Sequence, residues 1–250
     1  MKKAVFVFMS LIVLGTAAQA LIITTADGNG ADAWISNDGQ SSSYWADKVH
    51  NTTGMHVRYN GGGSRFRAAL LRFDISSIVE PIGADAQLQL GQTYTKGSDK
   101  VIDVYGLVDG HAGEAWDDTT LCYNNAPGFV TPAQGNNLGW YAIDSSLVWL
   151  GTFIIPGTGS SGATITPPKT LLTDLTSLPL ADFLNADTNG LVTLVLINAQ
   201  GTTSNNSENR FASEEDANGG FPALVLVPEP MSMLLLGLGG LLIRRRTQQA

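Results

Sequence analysis

From Leu21 to Val227 the chain is a series of short apolar runs separated by turn-rich segments such as GNG, NDG, GGG and NNAPG. Runs of this length, bounded by Gly, Asn, Asp and Pro, predict strands. They fall at Leu21–Thr25, Asp32–Ser36, Met55–Tyr59, Arg67–Asp74, Ala86–Leu90, Val101–Val108, Leu147–Ile155, Leu191–Asn198, Arg210–Ser213 and Ala223–Val227. Ile102, Val104 and Val108 share one face of their strand and Asp103 takes the other, the period of a half-buried strand. Arg67–Asp74 and Leu191–Ile197 are apolar almost throughout, which predicts central strands covered on both faces. One short helix is expected, Leu180–Asn185, and the Gly-, Pro-, Thr- and Ser-rich segment Gly128–Pro168 reads as long surface loops around the strand at Leu147–Ile155. Many strands with no sustained helix predict an all-β fold, a two-sheet antiparallel sandwich of jelly-roll type.

The two ends follow a different pattern. Lys2 and Lys3 precede an apolar stretch, Ala4–Leu14, and Ala18-Gln19-Ala20 is a small-residue cleavage site; together these predict a secretory signal peptide over 1–20. At the other end Met231–Ile243 is apolar and is followed by Arg244, Arg245 and Arg246. Thirteen helical residues reach about 20 Å against roughly 30 Å of hydrocarbon, so this span is a weak anchor. The arginines are expected to stay cytoplasmic. Gly237, Gly239 and Gly240 each cost the span about 1 kcal/mol relative to Ala. The expected organisation is 1–20 signal peptide, 21–227 β-sandwich domain and 228–250 C-terminal signal with a short transmembrane segment at 231–243.

Composition sharpens this picture. Charged residues make up 14% of the chain, against about 25% in an average globular domain. Without the two ends, 9 basic and 21 acidic residues remain, a net charge of −12. That surface repels nucleic acid and anionic lipid and attracts divalent cations. Cys122 is the one cysteine, so no internal disulfide forms; between Leu121 and Tyr123 it reads as a small buried residue.

Two resemblances add to the reading. Val227-Pro228-Glu229-Pro230, the apolar run and Arg244–Arg246 together resemble the PEP-CTERM sorting signal of Gram-negative bacteria. That resemblance implies recognition at Pro228, Glu229 and Pro230 by an exosortase, a membrane transpeptidase. It also implies transient residence in the inner membrane, then delivery to the cell surface, outer envelope or exopolysaccharide matrix. Further, the segments ADAWIS (Ala31–Ser36), FRAALLRFDISSI (Phe66–Ile78), EAWDDTTLCYNNAPG (Glu114–Gly128) and the closing FASEED and PALVL resemble, in order, the DNRLRE-type secreted jelly-roll domains, some of which bind carbohydrate. Cys122-Tyr123 departs from that pattern, which tends to Thr-Trp there. Trp116 and Tyr123 can each bury roughly 150–250 Å², and the Asn124 and Asn125 side chains can bond nearby backbone, so the third segment reads as a structural corner.

Three kinds of site are candidates. Asp27, Asn29 and Asp32 place three oxygen side chains within six residues. Glu214, Glu215 and Asp216 approach them if the first and last strands are neighbours, which would give a structural Ca2+ its six to eight oxygens. For sugar binding, Trp34 alternates onto the polar face with Asp32 and Ser36, Tyr44 and Trp45 lie in a Ser-rich loop, and Trp140 and Tyr141 follow GNNLG; exposed rings of this kind stack on the C–H face of a sugar. Glu114, Asp117 and Asp118 are the one carboxylate group offering a hydrolytic pair, which needs a separation of about 5–9.5 Å. His50, His56 and His111 form no zinc pattern, and no G-x-S-x-G occurs.

The sequence thus predicts a non-catalytic exported protein that binds extracellular polysaccharide. A structural or adhesive surface role is the alternative, and a lyase or glycosidase the distant one. Mass spectrometry of the protein from cells checks the two ends: a mature species beginning at Leu21 and ending near Pro228–Pro230 is the expected result.

Overall fold

The computed structural model describes residues 20–38, 46–60, 65–130, 141–157, 159–173, 175, 180–198 and 208–226. The signal peptide up to Gln19 and the predicted sorting segment lie outside them. Among the described residues no helix is long and apolar enough to cross a membrane.

The fold is all-β and antiparallel throughout. Its strands are β1 (Leu21–Thr24), β2 (Ala31–Ser36), β3 (Gly54–Tyr59), β4 (Phe66–Asp74), β5 (Gln87–Gly97), β6 (Lys100–Leu107), β7 (Leu147–Ile155), β8 (Gly159–Thr173), β9 (Leu191–Asn198), β10 (Asn209–Ala212) and β11 (Ala223–Leu226). The one α-helix among the described residues is α1 (Leu180–Asn185). Strands run in the order β1-β11-β5-β10-β3-β4-β9-β6-β7, with β2 also on β4 and β8 also on β5. β3 is where the sheet curls: its first half pairs with β10, while Arg58 and Tyr59 pair with Arg67 and Phe66 of β4. The first and last strands are neighbours, Leu21 opposite Leu226.

β4 fulfils the expectation of a strand covered on both faces. Ala69, Leu71 and Phe73 point into the main core between the two halves of the curled sheet, with Met55, Val57, Leu88, Leu90, Ile102, Val104, Leu194, Leu196 and Phe211. Helix α1 closes one end of that core through Leu180, Ala181 and Leu184. Phe66, Ala68 and Leu70 point the other way, into a second apolar cluster. There Trp116, Leu121, Tyr123 and Phe129 of the β6–β7 connection cover β2, β4 and β9. The same alternation applies to β9, where Leu194 and Leu196 face inward and Val195 and Ile197 face the cover.

One expectation changes. The segment Gly128–Pro168 is not all loop, because β8 runs through it and pairs with β5. β8 pairs with β5 alone, and most of its described side chains face water, so burial imposes no apolar period on it. Its Pro167 and Pro168 fall where the β5–β8 register shifts between Gln92 and Tyr94, a position where a missing N–H is tolerated. Residues Tyr123–Asn125 of the expected corner form a 3-10 turn, held by Asn125 Oδ1 accepting from Cys122 N–H at 2.7 Å and Asn125 Nδ2 donating to Thr120 O at 2.9 Å.

The two-faced burial of β4 has a direct check. Leu71 and Leu70 are both fully buried, so Leu71→Ala and Leu70→Ala should each cost about 2–5 kcal/mol in denaturant unfolding. If the outer face were solvated, Leu70→Ala would stay within about 0.5 kcal/mol of wild type.

Candidate carbohydrate-binding face and acidic cluster

Trp34 was expected on an exposed face, and the structure places it inside the protein at 5% exposure. Alternation along β2 does not decide exposure, because Asp32, Trp34 and Ser36 point into the protein as fully as Ala33 and Ile35 do. The Trp34 ring stacks on His50 at 3.7 Å and on His56 at 4.5 Å, and the Arg67 guanidinium lies 5.1 Å from its centroid. Its Nε1 donates to Thr52 Oγ1 at 3.2 Å.

Below this stack sits Glu208. It lies 2.8 Å from His56 Nδ1, 2.9 Å from Arg210 Nε, 3.3 Å from Arg58 Nη1 and 3.7 Å from Arg67 Nη1. Burial alone would raise its pKa, but His56 and Arg210 outweigh burial and hold the carboxyl well below the usual range. Arg67 also donates from Nε and Nη2 to Asp38 Oδ2 at 3.1 and 2.7 Å. A cleft of about 280 Å³ opens beside His56, Tyr94 and Arg210. Its ring is already taken, since Arg210 lies 4.8 Å over Tyr94.

The exposed aromatic surface is elsewhere. Trp149 lies on β7, at one end of the strand order with β6 as its neighbour, and is 46% exposed. It stands directly across from Tyr105 of β6, and its Nε1 donates to Asp103 Oδ1 at 3.3 Å. Tyr141 continues this surface, stacked on Phe66 at 4.5 Å and edge-on to Tyr59 at 5.2 Å. Burial first, then Tyr105, Tyr59 and Asp103, push the Tyr141 hydroxyl up to about 12. Burial likewise raises the pKa of Asp103, which the Trp149 N–H partly opposes. One indole, two phenols and a carboxylate are thereby gathered near one sheet edge, and Tyr141 links them to Tyr59 of β3 further in. Tyr44, Trp45 and Trp140 lie outside the described residues.

Trp116 is also internal. Its Nε1 donates to Thr193 Oγ1 at 3.1 Å, and Arg72 lies 5.0 Å over its ring while also donating to Trp116 O. It is an anchor of the cover, as the corner reading expected.

The acidic residues predicted to act together are divided. Asp27 turns into its own loop, accepting from Thr24 N–H at 2.7 Å and Thr24 Oγ1 at 2.8 Å. Asn29 donates from N and Nδ2 to Asp74 Oδ2 at 2.9 and 2.8 Å. Gly28 permits that docking at φ +59°, where a Cβ would lie 2.5 Å from the Asp74 carboxylate. Asp216 accepts from N and Nδ2 of Asn218, both at 2.9 Å. Of the expected set of Asp27, Asn29, Asp32, Glu214, Glu215 and Asp216, three members are thus engaged elsewhere: Asp27 and Asp216 accept within their own turns, and Asn29 donates to Asp74 of β4.

Asp32, Glu214 and Glu215 do come together, with Asp118 as an addition. Asp118, Glu214 and Glu215 each place an oxygen within 4.8 Å of the others. Asp32 is fully buried beside them; its Oδ2 accepts from Thr25 Oγ1 at 2.6 Å and from Glu214 N–H at 3.0 Å. Burial, then the Glu214 and Glu215 charges, push Asp32 up to about 8 against the Thr25 hydrogen bond. Burial, then Glu215 and Asp118, push Glu214 up to about 7. The carboxylates considered as a hydrolytic pair separate: Glu114 is buried against Asn189 Nδ2 at 2.5 Å and joins Asp109 and Asp187, whereas Asp118 joins the glutamates.

Residues 25–149 match carbohydrate-binding module family 96. The chain belongs to this family. The match covers half of the 250 residues, from the Thr25 that bonds Asp32 to the exposed Trp149. No curated protein matches the chain. Membership of a carbohydrate-binding family fits the carbohydrate-binding body expected from the sequence and a binding role without catalysis.

Within this family member, sequence reasoning passed over Trp149, Tyr105 and Asp103. The signal was present in part: an indole inside the β-branched run LVWLGTFII is unusual cover for a buried strand. What the run does not reveal is that β7 ends the strand order. Asp118 was weighed only for hydrolysis, since its approach to Glu214 spans 96 residues of chain.

His50 gives this interior a pH signature. Burial, then Lys48, Arg67 and His56, push its pKa down to about 4. The unfolded chain takes up a proton near pH 6.5 and the folded protein resists it. Stability is therefore full above pH 6.5 and is lost as pH falls toward 4. Denaturant unfolding across that window should show the decline in wild type and a smaller one in His50→Gln.

Proposed function

We propose that this protein is an exported, non-catalytic polysaccharide-binding protein. Its 21–227 body is a jelly-roll-like sandwich that takes sugar along the β7 edge. The observation that carries the site is Trp149, 46% exposed and held by Asp103. A sugar ring stacks its C–H face on the indole, a contact that buries apolar area while the hydroxyls stay free for polar partners. Asp103 accepts from those hydroxyls, and the hydroxyls of Tyr105, Tyr59 and Tyr141 donate or accept alongside. Orientation of the indole by its N–H bond reduces the entropy lost on binding.

The position at a sheet edge supports a polymer over a small molecule, since a chain can lie along the strand and run off either end. The export reading rests on the Lys2-Lys3, apolar and Ala18–Ala20 pattern and on the Pro228–Pro230, apolar and Arg244–Arg246 order. In this proposal an exosortase processes the tail and releases the body to the cell surface or matrix of a Gram-negative bacterium.

A glycan array followed by affinity electrophoresis in polysaccharide gels tests the site. Trp149→Ala should weaken binding at least tenfold while the thermal midpoint stays within a degree or two. Binding that survives Trp149→Ala unchanged moves the site elsewhere, and no binding by the wild type to any glycan leaves the structural or adhesive role.

A further inference from the structure

The geometry points to a calcium site formed by Asp118, Glu214 and Glu215 above the buried Asp32. Three carboxylates meet here from two parts of the chain, the loop after Trp116 and the segment after β10, and Asp32 of β2 is held next to them by the Glu214 N–H. One cation is set against them. Arg72 faces Asp118 and Glu214, yet its Nε donates to Asn29 O at 2.7 Å and its Nη1 to Trp116 O. Its hydrogen bonds hold two loops, and its single charge leaves the group strongly negative.

A separate observation points to a ligand. Asp32 is fully buried, and its Oδ1 has no hydrogen-bond partner among the described residues. Its other oxygen is fixed on Glu214 N–H, so the orphan belongs to a carboxylate anchored at the cluster. A buried oxygen of this kind is costly to leave unpaired. A cation held at the cluster offers that oxygen a partner, directly or through a bound water.

The donors are oxygen only, with no imidazole or thiolate, which selects a hard cation. The number of carboxylates favours calcium over magnesium, since Mg2+ is usually held by one or two carboxylates and keeps several waters. Three carboxylates, some bidentate, with waters on the exposed Glu215 side reach six to eight ligands. Bound there, the ion ties the aromatic cover to β2 and to the end of β10, and it acts independently of the sugar-binding reading.

The test is calorimetric titration of the chelator-stripped chain with CaCl2, together with thermal unfolding in calcium and in chelator. One binding event per chain and a midpoint higher by several degrees in calcium are expected. Glu215→Gln, at an exposed position that leaves the interior intact, should weaken binding at least tenfold, as should Asp118→Asn. Asp216→Asn, whose carboxylate serves its own turn, should bind as wild type does. No heat and no midpoint shift in wild type overturns the site. So does equal affinity in Glu215→Gln and wild type, or an equal midpoint rise with MgCl2, which would mark general charge screening.

Discussion

The protein is organised by one constraint: β4 must be buried on both faces. Its nine residues pair with β2 along one edge and with β9 and β3 along the other. Its side chains alternate between the main core and the space beneath the β6–β7 connection. A sheet half with only one covered face would need just its partner sheet. This one also needs Trp116, Leu121, Tyr123 and Phe129 brought over its back. The aromatic surface, the acidic cluster and the long connection are all placed by that requirement.

Charge is distributed by the same logic. The body carries an excess of acid, yet its basic side chains are concentrated where burial would otherwise isolate a carboxylate. Glu208 is surrounded by Arg58, Arg67, Arg210 and His56, and the edge of that group is sealed by the Trp34 stack. Removing one member of such a network leaves the others charged and unpaired, which costs more than the pairing itself contributes. The opposite condition holds around Asp32, where acid exceeds base and one oxygen has no partner among the described residues. Asp32 and Trp34 are two residues apart on β2, and Glu208 and Glu214 flank β10, so the two conditions hold close together in the chain.

In the proposed reading, sugar is taken along an edge and not in a pocket. The rings inside the protein are held by hydrogen bonds to Thr52 and Thr193 and by arginine contacts, which makes them structural. Trp149 is available because, among the described residues, no strand pairs with the outer edge of β7. The cover that β4 requires also delivers Tyr141 next to Tyr59, extending the surface inward from the edge.

Much of the fold was legible in the sequence because strand burial leaves a local record. The apolar runs at 67–74 and 191–197, the exact span of α1 and the anchor role of Trp116 could be read from residue type and period alone. β8 could not, because an edge strand with solvated side chains leaves no period. Exposure of Trp34 was misjudged for a related reason: alternation tells which side chains share a face and is silent on what lies opposite that face. The sequence by itself determined the strand class, the acidic excess and the turn chemistry, since these depend on neighbours along the chain. Only the tertiary structure decided which tryptophan meets solvent and which carboxylates meet each other. Those outcomes depend on sheet order and on contacts such as Asp118 with Glu214, made between residues far apart in the chain.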